Sequence, residues 1–358
     1  MTTATGHLSA GKLRGLLSLA DSDGIFRMIA VDQRPPIFKA LARYDHRDPQ
    51  EVSYQEVAQV KTLLTRVLAP EAGAILIDPN WTHPHALPYI PGSVGLMSTL
   101  EDYGFTLHNG ERLSHPIEGW SVAKIKRSGA DGVKVLIWHR PDVSPQTQAH
   151  QDAFVLSVGA ACREHDIPLV LELLSYPKPG EAEDSLAYAR AKPQWVVDSV
   201  RYYSDDRFGI DLLKLEFPAS LKHCAEYASG AFDGQPREAA YDLDEVKGFV
   251  AELDAATNVP WVLLSAGVTP HEFTLNLELA CEAGASGFLA GRAVWLEALE
   301  YYPDLGAIEA ELITRSLPYL AMLSALAERA LPWTEHRRYE GEVALAGAVE
   351  GWHTEYRG

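Results

Sequence analysis

The sequence predicts an α/β fold: a (β/α)8 TIM barrel with a short N-terminal helix and a C-terminal helical extension. Eight short apolar runs recur along the chain, separated by segments with helical periodicity. Several runs are almost continuously apolar, as parallel strands covered on both faces are. Strand–helix alternation repeated eight times fits a closed barrel. The alternative is an open doubly wound sheet, but no Gly-x-Gly-x-x-Gly fingerprint follows the first run.

The predicted strands are FRMIAVD (26–32), AILIDP (74–79), VGLMSTL (94–100), GVKVLIWH (132–139), PLVLELLSY (168–176), DLLKLEFP (211–218), PWVLLSAG (260–267) and SGFLAGRA (286–293). Helices are predicted at 11–20, before the barrel, and at 145–165, 193–204, 242–256 and 270–283. A helical stretch continues from 297 to about 330. No linker rich in glycine, proline or serine divides the chain, so residues 1–358 are expected to form one domain with its barrel core at about 26–297.

Composition and charge exclude several classes of function. The formal net charge of −18 argues against a nucleic-acid partner, although an anionic small substrate needs only a few local cations. No apolar run approaches a membrane span, and the N-terminal residues do not resemble a signal peptide. The three cysteines are widely spaced without a CxxC pair, which argues against a disulfide framework or structural zinc. A reduced, cytoplasmic protein is expected.

Four ionisable residues on different apolar runs are the candidate catalytic groups: Asp32, Lys134, Glu172 and Lys214. In a barrel, functional groups sit at the carboxyl ends of strands or project inward from them. The alternative is that two lysines and two carboxylates merely neutralise one another in buried ion pairs. Such pairs often stabilise a protein no better than apolar replacements, because desolvation consumes the Coulomb energy. A catalytic cluster is therefore favoured.

These residue types suit carbon–carbon bond cleavage through an iminium ion. A lysine amine becomes nucleophilic when burial or a nearby cation lowers its pKa. Lys134 could be the cation that acts on Lys214, or the reverse, and the neutral amine would attack a ketone. Glu172, on the strand next to that of Lys214, would shuttle protons, and Asp32 would hold or deprotonate a substrate hydroxyl. This is a coherent set for a class I aldolase.

No cofactor or metal is predicted, because no cluster of metal ligands stands out. His83 and His85 in WTHPH are close in sequence, but a proline separates them and they lie beyond a strand. Histidines at the surface or in a substrate loop are the preferred interpretation.

The last two runs predict an anion site. Loops after the seventh and eighth strands of barrels commonly bind phosphate through backbone N–H groups. Gly267 and Gly291 would let the backbone approach an anion, Ser265 offers a hydroxyl, and Arg292 offers a guanidinium fork. The alternative is that these glycines only form strand–helix turns.

Six stretches, spread from the first predicted strand to the eighth, carry a resemblance to a known family. They are AVDQR (30–34), DGVKVL (131–136), PLVLELLSY (168–176), DLLKLEFP (211–218), LLSAGVT (263–269) and EAGASGFLAGRAVW (282–295). In these stretches the chain resembles the class I tagatose-1,6-bisphosphate aldolases, with the related sulfofructose-1-phosphate aldolases. The resemblance implies that Lys214 forms the Schiff base, that Glu172 shuttles protons, and that Lys134 and Asp32 assist. It also implies that Ser265, Gly291 and Arg292 bind phosphate, and it makes Gln33 and Arg34 of AVDQR substrate-binding candidates.

The expected reaction is reversible cleavage of a phosphorylated ketohexose, such as tagatose 1,6-bisphosphate, into dihydroxyacetone phosphate and a three-carbon aldehyde. Alternatives are sulfofructose 1-phosphate, which would give sulfolactaldehyde, a transaldolase using the same enamine, and a barrel that only binds sugar phosphates. Arg34 or Arg140 would meet the far anionic end. Pro35 and Pro36 depart from the glycine common in the family, which leaves the sugar's identity open. A homo-oligomer is expected from the long C-terminal region.

Overall fold

Eight parallel strands close into a barrel, in a computed structural model that describes residues 6–339 and 341–356. The strands are β1 (Phe26–Ala30), β2 (Ala74–Ile77), β3 (Gly95–Thr99), β4 (Gly132–Trp138), β5 (Leu169–Leu174), β6 (Leu212–Leu215), β7 (Trp261–Leu264) and β8 (Gly287–Ala290). They are hydrogen-bonded in chain order, and β8 pairs with β1 to complete the ring. Each strand falls within one of the eight predicted runs, so the predicted barrel is confirmed.

Helices surround the barrel and extend beyond it. They are α1 (Ala10–Leu19), α2 (Pro35–Ala42), α3 (Tyr54–Leu68), α4 (Thr82–Ala86), α5 (Val122–Arg127), α6 (Pro145–Glu164), α7 (Leu186–Tyr203), α8 (Leu243–Ala256), α9 (Pro270–Ala283), α10 (Arg292–Trp295), α11 (Leu305–Glu311), α12 (Leu317–Leu326) and α13 (Trp352–Glu355). A π-helical turn, Leu312–Ser316, joins α11 to α12. Among the described residues, no helix has the length and apolar character needed to cross a bilayer.

The amino-terminal end of the barrel is closed by apolar side chains. Leu16 and Leu19 of α1 are buried in one cluster with Phe26, Met28 and Met97 from the barrel strands. Burying this apolar surface stabilises the fold by about 25 cal/mol for each Å². With this end closed, the carboxyl ends of the strands form the open end of the barrel.

A polar β-hairpin after β3 is absent from the predicted elements. Its strands, Thr106–His108 and Glu111–Leu113, are joined by Asn109 and Gly110, which have φ angles of +51° and +82°. An Asn-Gly pair between two strands is a strong signal for this tight turn, because both positions require positive φ. The strands escape a search for apolar runs because they are short and mostly solvent-accessible.

Candidate active site

Three of the four candidate catalytic residues project from neighbouring strands into the barrel. Lys134 lies on β4, Glu172 on β5 and Lys214 on β6, and Glu172 is the direct register partner of Lys214. The fourth, Asp32, follows β1. All four are buried, with exposed fractions between 1% and 6%. The fold therefore brings together charged residues as far apart in sequence as Asp32 and Lys214, which are separated by 182 positions.

Lys134 is surrounded by carboxylates. Its Nζ lies 3.0 Å from Asp32 Oδ2, 2.6 Å from Glu101 Oε1 and 2.8 Å from Glu172 Oε2. Burial alone would lower the pKa of Lys134, but the three carboxylates outweigh it and raise that pKa above its usual value. Lys134 consequently stays a cation and is a poor nucleophile.

Lys214 has a different environment. Its Nζ donates to a single carboxylate oxygen, Glu172 Oε2, at 2.8 Å. Lys214 and Glu172 both line a cavity of about 250 Å³ at the open end of the barrel, whereas Lys134 and Asp32 are not part of its wall. Of the two barrel lysines, Lys214 is therefore the one that a bound substrate can reach.

The charges of this buried cluster balance. Burial alone would raise the pKa of Glu172, but Lys134 and Lys214 lower it on balance, and Lys134, Lys214 and Arg34 do the same for Asp32. The cluster contains three cations and three carboxylates: Lys134, Lys214, Arg34, Asp32, Glu101 and Glu172. A proton that moves from Lys214 to Glu172 changes none of this balance, so the amine can be freed without burying a net charge.

The predicted anion-binding residues come together at the ends of β7 and β8, where Ser265, Gly291 and Arg292 line the same cavity as Lys214. At Gly267, where φ is +81°, a Cβ atom would lie 2.5 Å from Nη1 of Arg292. At Gly291, a Cβ atom would lie 2.5 Å from Nε2 of Gln33. The Gly291 N–H points to Ser265 Oγ at 3.4 Å. Glycine is thus needed at both positions for the guanidinium and amide to pack against the backbone.

Two arginines considered for the far anionic end are paired inside the protein. Arg34 donates to the Glu101 carbonyl oxygen at 3.1 Å and is not part of the cavity wall. Arg140 donates to Asp142 at 2.8 Å and to Glu181, away from the cavity. The assignment of Arg34 to substrate stays a prediction, and its contacts favour a role in holding Glu101.

Two residues of this region, Glu101 and Arg112, are not among the site residues predicted from the sequence. Glu101, which contacts both Lys134 and Arg34, directly follows the apolar run 94–100 and could have been found by the signal that identified Asp32. Arg112 lines the cavity beside Lys214 but comes from the polar hairpin, which carries no apolar pattern.

The described residues contain no group of three or more histidine, cysteine, aspartate or glutamate side chains arranged to hold a metal ion. His83 is half-buried in α4, and the exposed His85 lies 2.9 Å from the Tyr54 hydroxyl. The predicted loop around WTHPH is thus a short helix, and its two histidines lie outside the cavity that contains Lys214.

A sequence model of the DeoC/LacD family aldolases matches residues 28–297, a segment that spans all but the first residues of the barrel. The chain belongs to the DeoC/LacD aldolase family. It is 32% identical over 333 residues to tagatose 1,6-diphosphate aldolase 2 of Streptococcus mutans, covering 92% of this chain and 98% of that protein. It is also 32% identical to the tagatose 1,6-diphosphate aldolase of Lactococcus lactis, covering 92% and 99%.

An archaeal fructose-1,6-bisphosphate aldolase, solved with its catalytic lysine bound to the carbinolamine intermediate, shares the fold of this DeoC/LacD aldolase. Its TM-score is 0.54 at 18% identity, covering 87% of this chain and 98% of the archaeal one. The resemblance inferred from the sequence is confirmed at the level of the family, and the protein is a carbon–carbon lyase of the class I aldolase type.

Proposed function

We propose that this aldolase reversibly cleaves tagatose 1,6-bisphosphate into dihydroxyacetone phosphate and glyceraldehyde 3-phosphate, with Lys214 as the Schiff-base lysine. The observation that carries the proposal is the contrast between the two barrel lysines. Lys214 faces the cavity with one carboxylate at 2.8 Å, whereas Lys134 is held by three carboxylates behind the wall. The substrate is supported by relatives that carry this name at 32% identity.

The first step forms the iminium ion. Glu172 Oε2 accepts a proton from Lys214 Nζ, and the neutral amine attacks the C2 ketone to give a carbinolamine. Glu172 then returns the proton to the C2 hydroxyl, which leaves as water while the C2–N double bond forms. The 2.8 Å separation allows the transfer from Lys214 to Glu172 without an intervening water.

The second step breaks the bond between C3 and C4. Glu172, again a carboxylate, removes the proton of the C4 hydroxyl, the aldehyde departs, and the electron pair of the broken bond moves through C2 to the iminium nitrogen. The resulting enamine takes a proton at C3, and hydrolysis releases dihydroxyacetone phosphate and regenerates Lys214. Lys134 fixes Glu172 between two ammonium groups, and Asp32 fixes Lys134.

The C1 phosphate would lie against the ends of β7 and β8. Arg292, the Gly291 N–H and the Ser265 hydroxyl provide donors there, and Gln33 packs against Gly291. Charge-assisted hydrogen bonds from a guanidinium to phosphate contribute about 1.5–3 kcal/mol each. Binding at C1 places C2 beside the wall that contains Lys214 and Glu172.

Borohydride trapping tests this function directly. The wild-type protein is incubated with dihydroxyacetone phosphate, reduced, and examined by intact mass and peptide mapping. A reduced adduct on the peptide containing DLLKLEFP is expected. An adduct on Lys134 would reverse the two lysine roles, and no adduct in folded protein would contradict the proposal. Cleavage that requires an acceptor aldehyde would instead identify a transaldolase.

We further infer that the whole chain works as one domain, in the cytoplasm and as a homo-oligomer. The three cysteines are free and buried, which suits a reducing compartment. Ile313 and Met322 in the C-terminal helical region are 50% and 40% exposed, and such apolar side chains suit contact with a second copy. Light scattering after size-exclusion chromatography gives the number of subunits, and a monomer at micromolar concentration would contradict the inference.

A further inference from the structure

Arg112 lies at the edge of the cavity within a set of three aromatic rings. Its guanidinium carbon is 4.3 Å from the ring centre of Trp138, 4.5 Å from that of Phe105 and 5.0 Å from that of Tyr176. All three distances are within the range in which a cation is attracted to an aromatic face. The guanidinium carbon thus lies over aromatic faces, an arrangement that uses none of the five N–H donors of the group.

The backbone that carries Arg112 is held in place. The Arg112 N–H donates to the Tyr176 hydroxyl at 3.3 Å, and its carbonyl accepts from Gln151 Nε2 at 3.3 Å. Gln151 is fully buried and also donates to the Trp138 carbonyl at 2.7 Å, which ties the hairpin to the end of β4. The guanidinium is therefore positioned before any ligand binds, which lowers the entropy cost of binding.

In the part of the chain that the structure describes, the guanidinium of Arg112 is not paired with a carboxylate, unlike those of the two arginines predicted from the sequence to meet the far anionic end. Arg34 pairs with Glu101, and Arg140 pairs with Asp142 and Glu181. Within residues 6–339 and 341–356, the Arg112 guanidinium makes no hydrogen bond or ion pair to a protein group, although it is only half-exposed. A preorganised cation with free donors, facing a cavity, is a receptor for an anion.

The position of Arg112 fits one end of an extended substrate. Arg292 follows β8, while Arg112 packs on Trp138 at the end of β4, and these two strands are opposite each other in an eight-stranded ring. Lys214 and Glu172, on β6 and β5, lie on the arc between them and line the same cavity. A ligand that spans the cavity thus has a guanidinium at each end and the nucleophile between them.

We propose that Arg112 binds the terminal anionic group of the aldehyde half of the substrate and so selects ketoses charged at both ends. The inference rests on the proposed function, because it takes Arg292 as the site of the C1 phosphate and Lys214 as the nucleophile. The ligand chemistry is a tetrahedral oxyanion, either phosphate or sulfonate, on the carbon farthest from C1. Arg112 is a specificity residue: it contacts the substrate away from the bonds that change.

The test compares two substrates that differ only at the far end, tagatose 1,6-bisphosphate and tagatose 1-phosphate. In Arg112→Gln, kcat/KM for the bisphosphate should fall about 10- to 100-fold, the range for losing charge-assisted hydrogen bonds. The value for tagatose 1-phosphate should change by no more than about 2-fold. Arg112→Lys keeps the charge without the fork, so its preference for the bisphosphate should be intermediate.

Arg207 provides a matched control. Its guanidinium also lies on aromatic faces, 4.6 Å from Phe208 and 5.1 Å from Tyr202, but the residue is exposed and is not part of the cavity wall. Arg207→Gln should leave both kcat/KM values unchanged. If Arg112→Gln lowers the two values equally, or keeps the wild-type preference for the bisphosphate, the inference is wrong.

Sulfofructose 1-phosphate as a third substrate identifies the anion, because the larger loss in Arg112→Gln marks the group that the guanidinium meets. Trapping with dihydroxyacetone phosphate, which has no far anion, separates the two proposals. If the wild type forms no adduct, the proposed function fails. If wild type and Arg112→Gln both form the adduct on Lys214 while the preference for the bisphosphate persists in the variant, only the role of Arg112 is refuted.

Discussion

Two buried lysine–carboxylate pairs in this molecule look alike in composition and differ in what their hydrogen-bonding groups contact. Lys61 of α3 pairs with Asp78, which follows β2, and both side chains are completely buried. Lys61 Nζ also donates to the Val31 carbonyl at 2.9 Å. Asp78 accepts further hydrogen bonds from the backbone of Asn80 and Trp81 at 2.9 and 2.8 Å. Protein groups thus hold both oxygens of Asp78 and two of the three Lys61 donors, and neither residue lines the cavity.

The pair of Lys214 and Glu172 is also buried, but its hydrogen-bonding groups are incompletely satisfied. Lys214 has one carboxylate partner and reaches a cavity, so its ammonium retains donors for a ligand. Burial by itself therefore does not separate structural lysines from reactive ones. The distinguishing features are spare hydrogen-bonding capacity and access to a cavity, and the two pairs can be separated by how their variants fail.

The largest effect is expected for Lys214→Met. Methionine keeps the volume and apolar stem of lysine but cannot form an iminium ion, so the cleavage rate should fall by at least about 1,000-fold. Circular dichroism should match that of the wild type, and borohydride with dihydroxyacetone phosphate should leave the mass unchanged. An active, folded Lys214→Met variant would refute the assignment of the nucleophile.

Lys61→Met should lower the stability of the fold rather than remove the nucleophile. Removing one partner of a buried pair leaves an uncompensated charge on Asp78, which costs about 3–5 kcal/mol of unfolding free energy. The measurement is guanidinium-induced unfolding at pH 7, with Lys214→Met as the control in the same buffer. Lys61→Met protein that remains folded should still form the adduct on Lys214. A stable Lys61→Met variant without adduct would assign Lys61 to catalysis instead.

The sequence predicted the barrel because each strand is buried on both faces and therefore carries its own apolar run. The same runs marked Lys134, Glu172 and Lys214 as charged residues in apolar segments, and the glycines after β7 and β8 led to the prediction of an anion site. Glu101 could have been identified in the same way, because it directly follows an apolar run. Arg112 was not, because its position depends on three aromatic rings that come from separate parts of the chain.

The sequence also did not show which charged residues form ion pairs with each other. Arg34 beside Asp32 suggested a substrate contact, yet its guanidinium is directed to Glu101. Asp78 lies at the end of an apolar run just as Asp32 does, but it pairs with a lysine from a helix, whereas Asp32 pairs with Lys134 from a barrel strand. Which partner neutralises a buried charge is decided by packing between helices and strands, and a linear pattern carries little of that information.

The smallest expected effect is on the unfolding free energy at acid pH, to which the two pairs should contribute in the same way. Burial alone would raise the pKa of Asp78 and of Glu172, but the lysines beside them lower both pKa values on balance. Each carboxylate then contributes stability that is complete above its unfolded pKa of about 4 and is lost as pH falls through the lower folded value. Asp78→Asn and Glu172→Gln remove one titrating group each, so each should flatten this acid-side loss.

Unfolding free energies of wild type and both variants, measured from pH 7 to pH 3 at constant ionic strength, check the slopes. Each variant should reduce the acid-side loss over this range by about 1–2 kcal/mol, because an unfolded-state carboxylate with a pKa of about 4 takes up most of its proton only in the last unit above pH 3. Cleavage at pH 7 then separates the pairs, because Glu172→Gln cannot shuttle protons and Asp78→Asn, where folded, can still turn over substrate. Equal activity in the two variants would mean that the Lys214–Glu172 pair is as structural as the Lys61–Asp78 pair.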